Sequence, residues 1–147
     1  MIGILLVSHG AFGESLIHCA SHVLGKRPLY LRQVGVTVHD DPEAIIPVAE
    51  DLIRRKVTSP AKLGILGGSQ GGLLVSATML QRPELFGAVV ATVPLMDMQR
   101  YHKLLAGASW MGEYGDPDVP AEAVWLRRYS PYHNLHKDTF YPKVLFT

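Results

Sequence analysis

Leu63-Gly64-Ile65-Leu66-Gly67-Gly68-Ser69-Gln70-Gly71-Gly72-Leu73-Leu74-Val75 runs from a short apolar strand, through a glycine-rich turn, into a stretch with helical character. The turn has the form Gly-x-Ser-x-Gly. A strand that reverses sharply into a helix holds its serine in a strained backbone conformation, and neighbours without Cβ atoms keep helix and strand from colliding. Glycines 67, 68, 71 and 72 answer that need. Amides at the start of the helix converge on one spot, and the residue after the serine, Gln70, supplies a backbone donor there. Ser69 is therefore a candidate nucleophile and Gln70 a candidate oxyanion donor. The same composition also suits a loop that only reverses the chain, or one that binds phosphate.

Outward from this turn the pattern alternates. Strands are expected at 2–7, 29–35, 62–66, 87–93 and 143–147, and helices at 13–24, 42–55 and 71–81. The long connection from Pro94 to Pro142 is expected to carry helices near 98–105 and 120–128, separated by the turn Gly115-Asp116-Pro117. Strands that alternate with helices imply an α/β fold with a parallel sheet covered on both faces. The expectation is one α/β domain over 1–147: three layers around a doubly wound, mainly parallel five-stranded sheet in the flavodoxin-like order 2-1-3-4-5.

The first third carries its own candidate. Met1-Ile2-Gly3-Ile4-Leu5-Leu6-Val7 is an apolar run of strand length, and Ser8-His9-Gly10-Ala11-Phe12-Gly13 is a loop punctuated by glycine. From Glu14 to Leu24, Leu16, Ala20, Val23 and Leu24 recur at helical spacing. A histidine at the carboxyl end of a first strand sits where open α/β sheets bind ligands, and His9 is there. A histidine in such a loop is also commonly structural.

Composition narrows the classes. A chain of 147 residues that is 48% hydrophobic and 18% charged can bury on the order of 70% of its unfolded surface. A net charge of +1, with Arg54-Arg55-Lys56 as the longest basic run, gives no electrostatic case for nucleic acid or a membrane surface. That run suits the end of a helix. No charged leader precedes the first apolar run and Phe86 to Met96 is too short to span a bilayer, so a cytoplasmic protein is expected. The single cysteine, Cys19, has no internal disulfide partner and is expected to be a small buried residue on the first helix. His18 and His22 lie four apart on that helix but lack a third ligand, so neither a metal nor another cofactor is expected. His133 and His136, near Asp138, are expected to decorate a polar loop.

Two resemblances fit these residues. Val48-Ala49-Glu50-Asp51-Leu52-Ile53, Val57-Thr58-Ser59-Pro60, the Gly-Gly-Ser-Gln-Gly-Gly turn, Gln81-Arg82-Pro83-Glu84-Leu85-Phe86, Val93-Pro94-Leu95-Met96-Asp97-Met98, Ser109-Trp110-Met111-Gly112-Glu113-Tyr114-Gly115 and Tyr129-Ser130-Pro131-Tyr132-His133-Asn134 are similar to the catalytic domain of the prolyl oligopeptidase family, over about 48–147. The resemblance implies that Ser69 is the nucleophile and that Trp110 and Tyr114 line the pocket for a proline ring. Better-known members carry Asn where Gln70 stands. The family's catalytic Asp and His follow the segment that matches Tyr141 to Thr147, which implies an incomplete triad and little or no peptidase activity. Its oxyanion tyrosine and propeller domain precede the matched region.

Residues 1–47, through Met1 to Leu16, His18-Cys19-Ala20, Leu24-Gly25 and Val38-His39-Asp40-Asp41-Pro42-Glu43, resemble the IIA component of mannose/fructose-type sugar phosphotransferase systems. There His9 would accept phosphate from HPr and pass it to a IIB component. A neutral imidazole nitrogen is a good nucleophile for that step. The Asp that orients this histidine in the family falls at about Gly64, so the carboxylate is absent.

The chain thus reads as a chimera joined between about 44 and 57, inside a helix that both families supply. In the order 2-1-3-4-5 the loops bearing His9 and Ser69 are neighbours, which suggests His9 as a base for Ser69 with Asp97 as its orienter. Three functions follow: a prolyl oligopeptidase-type hydrolase part acting on a peptide or small ester, a phosphocarrier using HPr and a IIB component, or an inactive hybrid that self-associates through exposed apolar surface.

Overall fold

A computed structural model describes residues 3–9, 11–36 and 45–147. The chain divides into two compact units, Met1–Asp41 and Pro42–Thr147. In the first, strand β1 (Ile4–His9) is followed by helix α1 (Phe12–Leu24) and strand β2 (Leu31–Val36). The two strands pair in parallel, from Ile4 opposite Leu31 to His9 opposite Val36. Gly25 ends α1 at φ +69°, the left-handed conformation that a residue without Cβ adopts at little cost. Arg27 then reaches back to both carboxylate oxygens of Glu14, at 2.5 and 3.1 Å. Its guanidinium holds the Glu14 carboxyl below the usual carboxylate range.

The second unit holds helix α2 (Ile45–Arg54), strand β3 (Gly64–Gly68), helix α3 (Gln70–Gln81), strand β4 (Ala88–Thr92), short helix α4 (Met111–Tyr114), helix α5 (Pro120–Tyr129) and strand β5 (Lys143–Phe146). The strands form a parallel sheet in the order β3-β4-β5. Because successive side chains of a strand point to opposite faces, Ile65, Val89, Ala91 and Val144 share one face. That face packs with Val75 and Met79 of α3, Ala49, Ile46 and Ile53 of α2, and Leu85 and Phe86. Residues 46, 49 and 53 recur at the spacing of one helical face, so α2 presents its apolar stripe to this cluster. On the other face Leu66 and Leu145 are exposed.

A second cluster forms around the amino-terminal end of α3. Leu73, Met98, Tyr101 and Leu126 are buried there, with Leu95, Trp110, Met111, Tyr114 and Tyr129 packed against them. It anchors the long connection between β4 and β5. A polar staple closes that connection. The buried Ser130 hydroxyl accepts a hydrogen bond from the Met98 N–H at 3.0 Å and shares another with His133 Nδ1 at 2.9 Å. Asp97, also buried, pairs with Arg100 at 2.5 Å, accepts from the Gln99 N–H at 3.0 Å and lies 3.8 Å from His133 Nδ1. The Tyr132 N–H donates to the Met96 carbonyl, and the Arg100 guanidinium sits over the Tyr132 ring.

The sequence expectation needs four corrections. The strands form two parallel sheets, of two and three strands, and no ladder among the described residues joins them into the five-stranded order 2-1-3-4-5. Parallel pairing needs edge-to-edge backbone registration, which an alternation of strands and helices does not specify. The helix expected near 98–105 is a single 3-10 turn at Tyr101–Lys103. A second 3-10 turn, Gly107–Trp110, leads directly into α4. Gly107 makes this possible, because a Cβ there would lie 1.7 Å from the Tyr101 carbonyl oxygen. Cys19 is exposed, as are Leu16, Val23 and Leu24, while Gly13 and Ile17 are the buried residues of α1. The buried stripe of α1 is therefore narrower than its apolar pattern. Finally, His133 belongs to the Ser130–Asp97 staple rather than to a polar loop, because the 3-10 turn at Pro131–Asn134 folds it back onto Ser130. The part of the junction before Ile45 lies outside the described residues.

Two predictions follow from this packing. Ser130→Ala leaves the buried Met98 N–H without its acceptor, and should lower the unfolding free energy by about 1–3 kcal/mol in urea titration. Burial, reinforced by the neighbouring Glu113, pushes the Tyr114 hydroxyl up to about 12. Burial also raises Tyr101, with help from Asp116, and Tyr129, with help from Tyr114. Each keeps its proton in the folded state at pH values where the unfolded chain loses it. Their contribution is complete below about pH 10 and is lost as pH rises through that value towards 12. Stability measured from pH 8 to 12 should fall above pH 10, and Tyr114→Phe should flatten that fall.

Candidate functional site

Ser69 stands between β3 and α3, with φ +55° and ψ −115°. A side chain at positive φ is strained, and the surrounding structure must impose it. Here a backbone bond does so. The β3–β4 ladder runs to Gly68 opposite Thr92, and the next residue, Ser69, donates its N–H to the Thr92 carbonyl at 2.9 Å. Its own carbonyl already accepts from the Leu73 N–H at 3.1 Å, the first turn of α3. One residue therefore serves as the last of the strand pairing and the cap of the helix.

Two glycines are required by close approach. A Cβ on Gly67 would lie 2.0 Å from the Gly71 carbonyl oxygen, and one on Gly72 would lie 2.8 Å from Pro94 Cβ. Gly71 has open space, and a Cβ on Gly68 would make only ordinary contact with Thr92. The demand for residues without Cβ thus falls on the flanking glycines 67 and 72, and not on all four. Strain is repeated next door, where Val93 leaves β4 at φ +41° while its N–H donates to the Thr147 carbonyl at 2.8 Å. Thr147 also donates its hydroxyl to Thr92 Oγ1 at 3.1 Å. The carboxyl ends of β3, β4 and β5 are locked together here, at the edge where parallel sheets place ligands.

Gln70 opens α3. Its backbone N–H belongs to the first turn of the helix, among the amides that lack a partner within the helix. Its side-chain amide donates to Glu113 Oε1 at 2.6 Å. Glu113 and Tyr114 end α4, and the Tyr114 ring stacks on Trp110, with centroids 6.0 Å apart and planes 6° from parallel. Tyr101 meets Tyr114 edge-on at 5.9 Å and donates its hydroxyl to the Gly115 carbonyl at 2.5 Å. The Glu122 carboxylate accepts from the Asp116 N–H at 2.5 Å. The aromatic pair is thus supported from below by Tyr101 and from behind by the loop at Gly115.

These elements bring together Ser69, Gln70 and, through Glu113, the pair Trp110 and Tyr114. Asp97, considered as an orienting carboxylate, is committed to Arg100, the Gln99 N–H and the His133 side of its staple. His9 ends β1, but its side chain lies outside the described residues, and so does the expected meeting of His9 with Ser69. Sequence reasoning missed Glu113. The signal was available, since residues 110 and 114 are spaced as one helical face and 113 is the acidic neighbour beside it. It also missed a group formed by His102, Asp116 and Asp118, whose ligand atoms lie within 4.8 Å of one another. Asp118 already accepts from Lys103 Nζ at 2.9 Å and lies 3.2 Å from His102 Nε2, so this group is occupied as an ion-pair cluster. His18 lies 3.9 Å from Glu14.

Comparison with known proteins bears on the same residues. Residues 32–147 match the prolyl oligopeptidase family. An uncharacterized peptidase of Sinorhizobium fredii is 53% identical over 109 residues, which cover 74% of this chain and 15% of the relative. A prolyl endopeptidase of Dictyostelium discoideum is 45% identical over 101 residues, covering 68% of this chain and 13% of the relative. Among solved structures, a post-proline cleaving enzyme from Rickettsia typhi superposes with a TM-score of 0.66 at 52% identity, over 68% of this chain and 14% of that one. The chain therefore spans about one seventh of the length of these relatives. The match begins at residue 32, inside the stretch 1–47 that the sequence expectation assigned to a phosphotransferase-like half, so residues 32–47 belong to the prolyl oligopeptidase match instead. No helix among the described residues is long and apolar enough to cross a membrane. With its serine turn built as a strained strand-to-helix reversal and its sequence matched from residue 32 onwards, the chain belongs to the prolyl oligopeptidase family.

Proposed function

We propose that this chain is part of a serine peptidase catalytic domain that cuts peptides after proline, with Ser69 as nucleophile. The observation that carries this reading is the positive φ of Ser69 at the amino terminus of α3, since strain of this kind displays a hydroxyl beyond the sheet edge, next to unpaired helix amides. The Ser69 hydroxyl would attack the carbonyl carbon of the scissile bond. The backbone N–H of Gln70 would donate to the oxygen that becomes negative, where a preorganised donor is worth most. Trp110 and Tyr114 would form the wall against which a proline ring lies, a flat apolar contact suited to a ring that donates no hydrogen bond. The name of the Rickettsia typhi enzyme, a post-proline cleaving enzyme, supports that choice of substrate.

Attack requires a base for the hydroxyl proton. The resemblance assigns the family's Asp and His to segments that follow the match to Thr147. A serine hydrolase deprived of triad members keeps only about 10³ to 10⁴-fold acceleration over water, and that remnant relies on the oxyanion site and on substrate binding. These 147 residues alone should hydrolyse an activated ester slowly and cleave peptides negligibly. A fluorophosphonate probe should label the wild-type chain at position 69, and Ser69→Ala should abolish both labelling and hydrolysis of p-nitrophenyl acetate. An unchanged ester rate in Ser69→Ala defeats the assignment.

A second reading concerns the first unit alone. His9 is the last residue of β1 in a parallel β1-α1-β2 arrangement, the position from which a phosphate-accepting histidine would act if the phosphocarrier resemblance holds. HPr and a IIB component would then be its partners. Transfer of labelled phosphate from HPr to the chain, lost in His9→Gln, is the expected result, and no transfer to the wild type removes this reading.

A further inference from the structure

Four of the six residues from Gly67 to Gly72 have no side chain, and a fifth, Ser69, is the candidate nucleophile. Any side-chain link between this turn and the rest of the site must therefore run through Gln70. That link exists, and it ends on Glu113. The Gln70 amide donates to Glu113 Oε1 at 2.6 Å, a short bond to a carboxylate of the charge-assisted kind. The Tyr114 hydroxyl, which burial and the nearby Glu113 keep protonated, lies within the electrostatic reach of the Gln70 side chain. Glu113 and Tyr114 are consecutive residues at the end of α4, and Tyr114 stacks on Trp110 in the turn before it.

From this geometry we infer that Glu113 is a positioning residue: through Gln70 it fixes the Trp110–Tyr114 wall relative to the turn that carries Ser69. The inference rests on the proposed reading of that wall as the surface for a proline ring. Helix α4 has only four residues, too short to hold its place by helical hydrogen bonding alone. Tyr101 supports it from one side through the Tyr114 ring and the Gly115 carbonyl. On the side of the nucleophile turn the support comes from Glu113, through Gln70. Gln70 thus has two duties. Its backbone N–H lies at the helix start, where the developing oxyanion would bind, and its side chain holds the binding wall. A carboxylate at 113 suits the second duty because it is an acceptor only and so meets the donor end of the amide. The same arrangement accounts for glutamine at position 70, since its side chain is one methylene longer than that of the asparagine found in better-known relatives.

The test reads binding and does not depend on turnover. In a Trp125→Phe background, which leaves Trp110 as the fluorophore, the full chain is titrated with N-benzyloxycarbonyl-glycyl-prolinamide and with its alaninamide counterpart. Glu113→Ala should weaken the proline ligand about tenfold, as expected for loss of one charged hydrogen bond, and should leave the alanine ligand unchanged. Gln70→Ala should do the same, and the double variant should lose no more than either single one. Glu113→Gln keeps an acceptor oxygen and should bind within about twofold of the parent. The inference is overturned if Glu113→Ala binds proline normally, if both ligands weaken equally, if the two losses add, or if the parent chain shows no preference for proline. Should Glu113→Ala not fold, as judged by circular dichroism, the contrast between Gln70→Ala and Glu113→Gln decides the matter in the same way. Fluorophosphonate labelling of the same proteins separates the two readings. Glu113-dependent proline binding without labelling removes only the nucleophile assignment, and labelling without that dependence removes only the role of Glu113.

Discussion

A single backbone hydrogen bond, from the Ser69 N–H to the Thr92 carbonyl at 2.9 Å, sets the geometry of the carboxyl edge of the three-stranded sheet. It extends the pairing of β3 with β4 one residue past Gly68, while α3 must already start at Gln70. The chain has no room for a loop, so Ser69 takes up the reversal at positive φ. The close approaches follow from it. The first turn of α3 comes within 2.0 Å of where a Gly67 side chain would begin, and Pro94 comes within 2.8 Å of the equivalent point on Gly72. The strain in the turn is therefore held from both sides by backbone, which does not yield as the end of a side chain would.

The second unit divides its apolar residues between two tasks. The cluster of Val75, Met79, Val89 and Ala91 holds the sheet, α2 and α3 together. The cluster of Leu73, Met98, Tyr101 and Leu126 holds the long connection against the start of α3. Both use α3, whose buried residues extend from Gly72 to Met79. This explains why α3 is apolar nearly all round while α2 is amphipathic, because one helix is enclosed and the other is covered on one side only. The polar staple of Ser130, His133 and Asp97 closes the second cluster at the far end of the connection. The aromatic wall therefore stands on packed structure although most of its backbone is in short turns.

Much of this was readable from local pattern. The strand at 64–68, the helix at 70–81, the strand at 88–92 and the helix at 120–129 lie within two residues of their expected limits. These are segments whose apolar spacing and flanking Gly or Pro act over a few residues. The segment at 98–105 was misread because Met98, Tyr101, Leu104 and Leu105 have helical spacing, yet only Met98 and Tyr101 are buried. There the close approach at Gly107 and the needs of the second cluster outweighed propensity. Sheet order was misread for a similar reason. Pairing between strands distant in sequence depends on which edges meet, and no local signal carries that information.

By itself the sequence determined that a strained serine turn sits between a strand and a helix, and that the family resemblance extends across most of the chain. Those facts depend on residue type and spacing, to which sequence is a direct guide. Only the tertiary structure decided that glycines 67 and 72 are the ones pressed by neighbouring backbone, that Asp97 is consumed by Arg100 and the staple, and that Glu113 takes the amide of Gln70. Each of these joins residues 3 to 43 positions apart in the chain, and such contacts exist only once the sheet and the two clusters have set the distances between them.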